Sequence, residues 1–169
     1  VFPDGGNVFL LNQSRSGSWY DINTTASKTV MKKNVFTLGF NHGQSLKDDT
    51  YAYIVVPNKS SAAEMAAYPM DNIEILANTD SMQVVRNKKL GVWEFIFYQG
   101  ATFTHGELSI KVNKGCALLF KDIEKPSVQF HIADPAQTQS KITVEVHIPS
   151  VSLQAKSIEC DFTGTGIYA

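Results

Sequence analysis

The chain has 169 residues, of which 43% are hydrophobic and 18% are charged, and its formal net charge is −1. A disordered chain is more charged and less apolar than this, so we expect the chain to fold around a hydrophobic core. The near-neutral charge argues against a general nucleic-acid-binding protein, which needs a clear basic excess. The apolar runs are too short to span a membrane, so neither nucleic acid nor membrane is a predicted partner.

Short alternating patterns dominate residues 1–57. β-Branched and aromatic residues recur with period 2 in four stretches, and such stretches are typical of strands. The predicted strands cover 7–11, 18–22, 35–40 and 51–56. Four strands are few for an independent sandwich, so we expect these residues either to pack on the second group of strands or to be the end of a larger sheet.

A short helix is predicted in the linker 58–72. Ser61 is followed three residues later by Glu64, which is the spacing of a capping box. The alanines at 62, 63, 66 and 67 favour helix, and Pro69 ends it.

A second group of strands begins at residue 73. The predicted strands cover 73–77, 82–86, 92–98, 108–112, 117–121, 128–133, 142–148 and 157–162. Turn residues separate them, and this spacing is typical of an antiparallel sandwich. Val144, Val146 and Ile148 alternate with polar residues, which predicts one buried face. The fold class is therefore all-β, with antiparallel β-sandwiches and one short connecting helix.

The sequence offers little catalytic chemistry. It lacks a phosphate-binding loop, a nucleophile elbow and cysteine pairs at zinc spacing, so we predict no catalytic residue, metal or cofactor. Zinc held by His131, His147 and Glu145 is an alternative, but polar residues on a solvated sheet face explain the same pattern. Cys116 opens an apolar run and is interpreted as a buried structural thiol rather than a nucleophile.

The candidate substrate-binding residues are basic or aromatic. Arg86, Lys88 and Lys89 cluster at a predicted hairpin turn, where they could contact a polyanion or simply be solvated. Trp19 and Trp93 could stack on sugar rings, although aromatic residues in strands are more often core. A second hypothesis, a carbohydrate-binding β-sandwich module, rests on five aromatic residues in two clusters: Trp19, Tyr20, Trp93, Phe97 and Tyr98.

Several segments together resemble a known family. The first segment, Gly17–Asn23, contains a tryptophan and ends in Ile-Asn. It is followed by the turn Asn41-His42-Gly43 and by the segment Tyr51–Asn58. The last segment, Ile75–Thr79, ends in Leu-Ala-Asn-Thr. This ordered set resembles polysaccharide lyase family 8, the chondroitin, hyaluronate and xanthan lyases. Asn41 stands where the family more usually has Asp.

The resemblance implies a domain organisation. Members of the family have an N-terminal helical domain, a large central β-sandwich and a smaller C-terminal β-sandwich. Residues 1–57 then correspond to the C-terminal end of the central sandwich, 58–72 to the linker, and 73–169 to the C-terminal sandwich. The implied partners within the same polypeptide are the helical catalytic domain and the rest of the central domain.

The resemblance also implies a reaction. Family members cleave acidic, uronate-containing polysaccharides such as glycosaminoglycans by β-elimination, in which carboxylate neutralisation acidifies the C5 proton. Their catalytic Asn, Tyr, His, Arg and Glu come chiefly from the helical and early central domains. No position here matches that motif, so no catalytic residue is carried over and the isolated chain is expected to be inactive. The implied localisation of the whole enzyme is secreted, extracellular or periplasmic.

Overall fold

The computed structural model describes residues 7–45, 47–123, 125–148 and 153–161, and the side chains of 153–156 are not described. The predicted all-β fold with antiparallel sheets and one short helix is confirmed. The chain divides into two compact units, Val1–Ala67 and Tyr68–Ala169, which we call unit 1 and unit 2. Within the described ranges, no helix combines the length and hydropathy needed to cross a membrane.

Unit 1 contains one long antiparallel hairpin. Strand β1 (Val8–Gly17) pairs with β2 (Met31–Phe40) along its whole length. The strands predicted at 7–11 and 35–40 are thus confirmed in position, and both are longer than predicted. The apolar residues lie towards one end of the hairpin and the polar residues towards the loop end.

Two other strands predicted in unit 1 are wrong. Residues 18–22 form a 3-10 turn at Trp19–Asp21, because the Asp21 carboxylate accepts hydrogen bonds from the Ser18 amide at 2.7 Å and from its hydroxyl at 3.0 Å. Residues 51–56 take no regular secondary structure, although their exposure alternates as in a strand. Alternating exposure of side chains indicates an extended backbone, whereas a strand also needs a neighbouring strand with which it forms regular backbone hydrogen bonds.

The predicted helix is confirmed as α1 (Ala62–Ala66). Ser61 is the N-cap, and its hydroxyl accepts a hydrogen bond from the Glu64 amide at 3.2 Å. The Glu64 carboxylate returns to the amide of Ser60 at 2.9 Å, one residue before the position that the capping box predicts. The helix ends before Pro69, as predicted.

Unit 2 is a two-layer sandwich of nine described strands. In chain order they are β3 (Ile73–Asn78), β4 (Met82–Asn87), β5 (Val92–Phe97), β6 (Ala101–His105), β7 (Leu108–Val112), β8 (Cys116–Lys121), β9 (Gln129–Ala133), β10 (Lys141–Ile148) and β11 (Leu153–Asp161). One sheet has the order β3-β4-β5-β8-β9, and the other has the order β11-β10-β7-β6. All eight predicted strand positions in this unit are occupied by strands, and β6 was not predicted; residue 162 lies outside the described residues.

The core of unit 2 comes from the inward faces of both sheets. Phe95 is fully buried, with its ring edge-on to Phe103 of the opposite sheet at 5.4 Å and to Phe120 at 5.8 Å between centroids. The predicted buried face of β10 is confirmed, since Val144, Val146 and Ile148 are buried there. The described buried apolar residues all lie between Val84 and Ile148, so the described part of unit 1 contributes none of them.

Candidate functional site

Four of the five candidate binding residues come together in unit 2. Arg86 lies near the end of β4, Lys88 and Lys89 form the turn, and Trp93 lies on β5. Arg86 and Trp93 are paired across the hairpin. The fifth candidate, Trp19, belongs to unit 1 and is not part of this set.

This hairpin forms one wall of a cavity of about 560 Å³. The other wall consists of Lys121, at the end of β8, with Asp122, Ile123 and Lys125, and it adds two lysines that the sequence analysis did not identify. Leu90, Trp93 and Ile123 supply apolar surface. We call this the cationic pocket, and its basic residues are Arg86, Lys88, Lys89, Lys121 and Lys125.

Pairing of β5 with β8 brings the two walls together, because Val92 is opposite Lys121. Gly91 then closes the contact: its carbonyl accepts a hydrogen bond from the Asp122 amide at 2.7 Å. Gly91 has φ +63°, and a Cβ built there would lie 2.8 Å from Asp122 Oδ1. Only glycine meets both demands without strain, so this residue type is dictated by the position.

Further hydrogen bonds fix the turn itself. The amide of Lys88 donates to the Asn72 carbonyl at 2.8 Å, and the amide of Leu90 donates to Asn87 Oδ1 at 3.1 Å. On the opposite wall, the amide of Lys125 donates to the Asp122 carbonyl at 2.8 Å. The backbone of the pocket is therefore held in place on both sides.

Charge is unevenly compensated in the pocket. Glu74 lies 3.5 Å from Arg86 and 3.4 Å from Lys88, and Asp122 lies 2.8 Å from Lys125. Among the residues that the structure describes, Lys89 and Lys121 have no ion-pair partner. The described residues thus give five cations against two carboxylates, an excess of positive charge that favours anions.

Trp93 is 3% exposed, and the guanidinium of Arg86 lies 4.9 Å from the centre of its ring. A ring covered in this way offers no open face to a sugar, so the prediction that Trp93 could stack on a sugar ring is wrong. Trp93 is a core residue, and it also forms part of the pocket wall. The cation–π contact orients Arg86 beside the cavity.

Trp19 is 58% exposed on the 3-10 turn of unit 1. Its neighbour Tyr20 is covered by the ammonium group of Lys28, 4.5 Å from the ring centre. Trp19 therefore remains a predicted sugar-stacking residue, but as a single ring.

The zinc alternative finds no support in the described residues, where no three His, Cys, Asp or Glu side chains come together as metal ligands. His131 lies on β9 and His147 on β10, which belong to different sheets. Glu145 is 2.9 Å from the ammonium group of Lys111 instead.

Cys116 is suited to packing and not to catalysis. Burial raises the pKa of its thiol to about 12, with smaller contributions from Cys160 and Asp134. A thiol that stays protonated at neutral pH is a poor nucleophile, which agrees with the structural interpretation of this residue.

Unit 1 holds a separate cluster around His42. Its Nδ1 lies 2.5 Å from Asp49 Oδ2, and its ring is 5.8 Å from that of Tyr51. Tyr51 stacks parallel to Tyr53, and Phe40 packs 5.0 Å from Tyr51. These rings order the segment after β2, and we give them no catalytic role.

Comparison with known proteins places both units in one family. The model for the polysaccharide lyase family 8 super-sandwich domain matches residues 1–69, and the model for the C-terminal β-sandwich domain of the same family matches 74–143. The first match lies within two residues of the boundary between unit 1 and unit 2.

Individual relatives agree. Chondroitinase-AC of Pedobacter heparinus is 34% identical over 145 residues, which cover 86% of this chain and 21% of the relative. Xanthan lyase of Bacillus sp. is 31% identical, covering 82% of this chain and 15% of the relative. Hyaluronate lyase of Thermasporomyces composti is 27% identical, covering 90% and 19%. The chain thus spans about a fifth or less of these relatives.

Solved structures give the same result. A chondroitinase AC lyase determined in complex with oligosaccharides aligns with a TM-score of 0.78 and 31% identity, over 95% of this chain and 24% of that one. A Paenibacillus xanthan lyase aligns with a TM-score of 0.68 and 32% identity, over 86% and 14%. The two family models, the relatives and the structures converge, and the chain belongs to polysaccharide lyase family 8.

Proposed function

We propose that this chain is the β-sheet part of a lyase that cleaves an acidic, uronate-containing polysaccharide by β-elimination. The names of its relatives support this substrate class, since they include a chondroitinase and a hyaluronate lyase. Residues 1–57, which lie in unit 1, then belong to the C-terminal end of the central sandwich, and residues 73–169, which lie in unit 2, form the C-terminal sandwich. The whole enzyme is proposed to be secreted, extracellular or periplasmic, where such polymers occur.

The apolar hairpin of unit 1 is the observation that supports the place of this chain in a larger enzyme. Directly opposed strand residues share a face, so Leu10 and Leu38 lie together on one face and Leu11 lies on the other. All three are exposed, and Leu38 is 49% exposed. Apolar residues on both faces of a hairpin are suited to burial between other elements, which supports the rest of a central sandwich as the partner.

The role of this chain in that enzyme is structural. It extends the central sandwich and supports the substrate cleft, while the catalytic groups come from the helical domain and the rest of the central domain. We assign no catalytic residue, metal or cofactor to residues 1–169. His42, Asp49 and Tyr51 are proposed to order a loop rather than to transfer protons.

An elimination assay tests the proposal. The isolated chain is mixed with chondroitin sulfate, hyaluronan or xanthan, and the ultraviolet absorbance of an unsaturated uronate product is followed. We expect no product. Product formed by the isolated chain, and lost in His42→Ala or Tyr51→Phe, would overturn the structural role.

A chimera tests the positive half of the proposal. This chain replaces the matching segment of the Pedobacter heparinus chondroitinase-AC, and we expect cleavage activity to be retained. Leu38→Lys should then reduce the yield of folded, active chimera, whereas Ile96→Lys, on the outward face of β5, should not. Equal behaviour of the two variants would remove the evidence that the hairpin face is buried in the enzyme.

The alternative, an independent carbohydrate-binding module, is weaker in its original form. It requires exposed aromatic rings, and Trp93 does not provide one. The cationic pocket is the feature that favours saccharide binding by this chain, through charge instead of stacking.

A further inference from the structure

We propose that the cationic pocket is a binding site for an anionic sugar unit, carrying a carboxylate or a sulfate, of an acidic polysaccharide. The choice of a saccharide rests on the proposed function, whereas the choice of an anion rests on the pocket alone. The site is formed within unit 2 and is intrinsic to this chain.

The side chains of Lys89 and Lys121 make the direct contacts. They stand on opposite walls of the cavity, one on the β4–β5 turn and one at the end of β8. Neither has an ion-pair partner among the described residues, so an incoming anion displaces none of the described carboxylates from them. An ammonium–carboxylate or ammonium–sulfate hydrogen bond is among the stronger polar contacts available at a protein surface.

Arg86 and Lys88 have a different part in the site. Glu74 lies between them, 3.5 Å and 3.4 Å away, so their charges are partly compensated. They add to the positive potential, and Arg86 is further restrained against Trp93. Arg86 and Lys88 thus shape the β4–β5 wall of the pocket, whereas Lys89 and Lys121 bind the anionic group of the ligand.

The shape of the cavity agrees with a small ligand. Its volume of about 560 Å³ falls in the range of roughly 300–1,000 Å³ that is usual for small-molecule sites. Leu90 stands beside the lysines and is 60% exposed. An exposed apolar side chain next to cations is suited to a sugar ring, which combines C–H surface with an acidic group.

The fixed backbone distinguishes this site from a solvated turn. A free turn would let its lysines move apart, at an entropic cost to any ligand that gathers them. Here the Asp122 amide is bonded to the Gly91 carbonyl at 2.7 Å, and the Lys88 amide is bonded to the Asn72 carbonyl at 2.8 Å. The walls that carry the lysines are therefore in place before a ligand arrives.

Calorimetric titration of the full chain tests this inference. The ligands are size-defined oligosaccharides of chondroitin sulfate and of hyaluronan, with a neutral dextran oligosaccharide and inorganic sulfate as comparisons. The double variant Lys89→Gln/Lys121→Gln removes the two binding charges. The matched control is Lys111→Gln/Lys141→Gln, which removes the same charge from the other sheet of unit 2, where both lysines are exposed and ion-paired.

We expect both acidic oligosaccharides to bind, dextran to give no saturable heat, and the pocket variant to lose at least about tenfold in affinity. The control should stay within about twofold. Raising the salt concentration should weaken binding to the wild-type chain more than to the pocket variant. Circular dichroism of both variants checks that the fold is intact.

Three results would overturn the inference: no saturable binding of either acidic oligosaccharide, equal loss in the pocket and control variants, or binding of inorganic sulfate as tight as that of the oligosaccharides. The last result would show an anion site that does not recognise a saccharide. Because titration measures binding and the elimination assay measures bond cleavage, the failure of this inference is distinguishable from failure of the proposed function.

Discussion

Units 1 and 2 are both built from antiparallel strands rich in aromatic residues, yet they bury them very differently. Phe95 on β5 of unit 2 is 0% exposed, whereas Phe36 on β2 of unit 1 is 62% exposed. Unit 2 has a second sheet against which β5 packs, and the described part of unit 1 has only the two-stranded sheet. An apolar pattern thus shows that a surface is suited to burial, but the partner that buries it has to come from somewhere else in the fold.

The largest expected effect comes from these two phenylalanines. Phe95→Ala should lower the free energy of unfolding of unit 2 by about 3–5 kcal/mol, because it empties a space between both sheets. Phe36→Ala should change it by less than about 0.5 kcal/mol, as for an exposed residue. Denaturant unfolding followed by Trp93 fluorescence measures both. Similar effects of the two substitutions would mean that the units share one core.

An intermediate effect is expected at the glycines with positive φ. Gly106→Ala should cost about 1–2 kcal/mol, because alanine is strained at φ +58° and nothing else is near. Gly91→Ala should cost roughly 1 kcal/mol more, since its Cβ would press on Asp122 and disturb the pocket wall. Gly43→Ala lies in unit 1 and should leave the thermal transition of unit 2 unchanged. An equal shift of the unit 2 transition in all three variants would contradict this ranking.

The smallest expected effect concerns two aspartates and pH. Hydrogen bonding from the Gln139 amide, with further bonds from the amides of Thr138 and Ala136, lowers the pKa of Asp134 below its ordinary value of 3.8. Hydrogen bonds from the Ser18 amide and hydroxyl lower the pKa of Asp21. A carboxylate with a lowered folded-state pKa stabilises the fold above its unfolded pKa and loses this contribution as pH falls through the folded value.

Asp134→Asn should therefore lower the melting temperature of unit 2 at neutral pH, and the difference from the wild-type chain should shrink in acid. Asp21→Asn should leave that transition unaffected at every pH. Thermal melts at several pH values below and above 3.8 measure both. If Asp134→Asn lowered the melting temperature by the same amount at every pH, the hydrogen-bond geometry of Asp134 would matter for stability and its charge would not.

The fold class, the helix and most strands follow from local patterns, and the failures have identifiable causes. β6 was missed because its sequence, with Thr102, Thr104 and His105, is largely polar, and only Phe103 on it is buried. The strand predicted at 18–22 failed because Asp21 closes a turn through its side chain. Periodicity does not include that competing hydrogen bond.

The candidate site was half predictable for a related reason. Arg86, Lys88, Lys89 and Trp93 belong to one hairpin, so their proximity follows from sequence spacing. The lysines of the other wall are Lys121, at the end of β8, and Lys125, which follows that strand. Their place depends on β8 pairing with β5 across the inserted β6–β7 hairpin. No local pattern reports that pairing.

That pairing also sets when the pocket forms. A hairpin such as β4–β5 closes within about 1–10 μs because its strands are adjacent in sequence. Contacts between Gly91 and Asp122 require closure of a much longer loop, whose entropy opposes early formation, and they are expected to form late in folding. In a chain that had folded only the β4–β5 hairpin, Lys89 would be in place but Lys121 would not yet lie opposite it. Ligand binding at the pocket would therefore show that β8 has paired with β5, and not merely that the chain has collapsed.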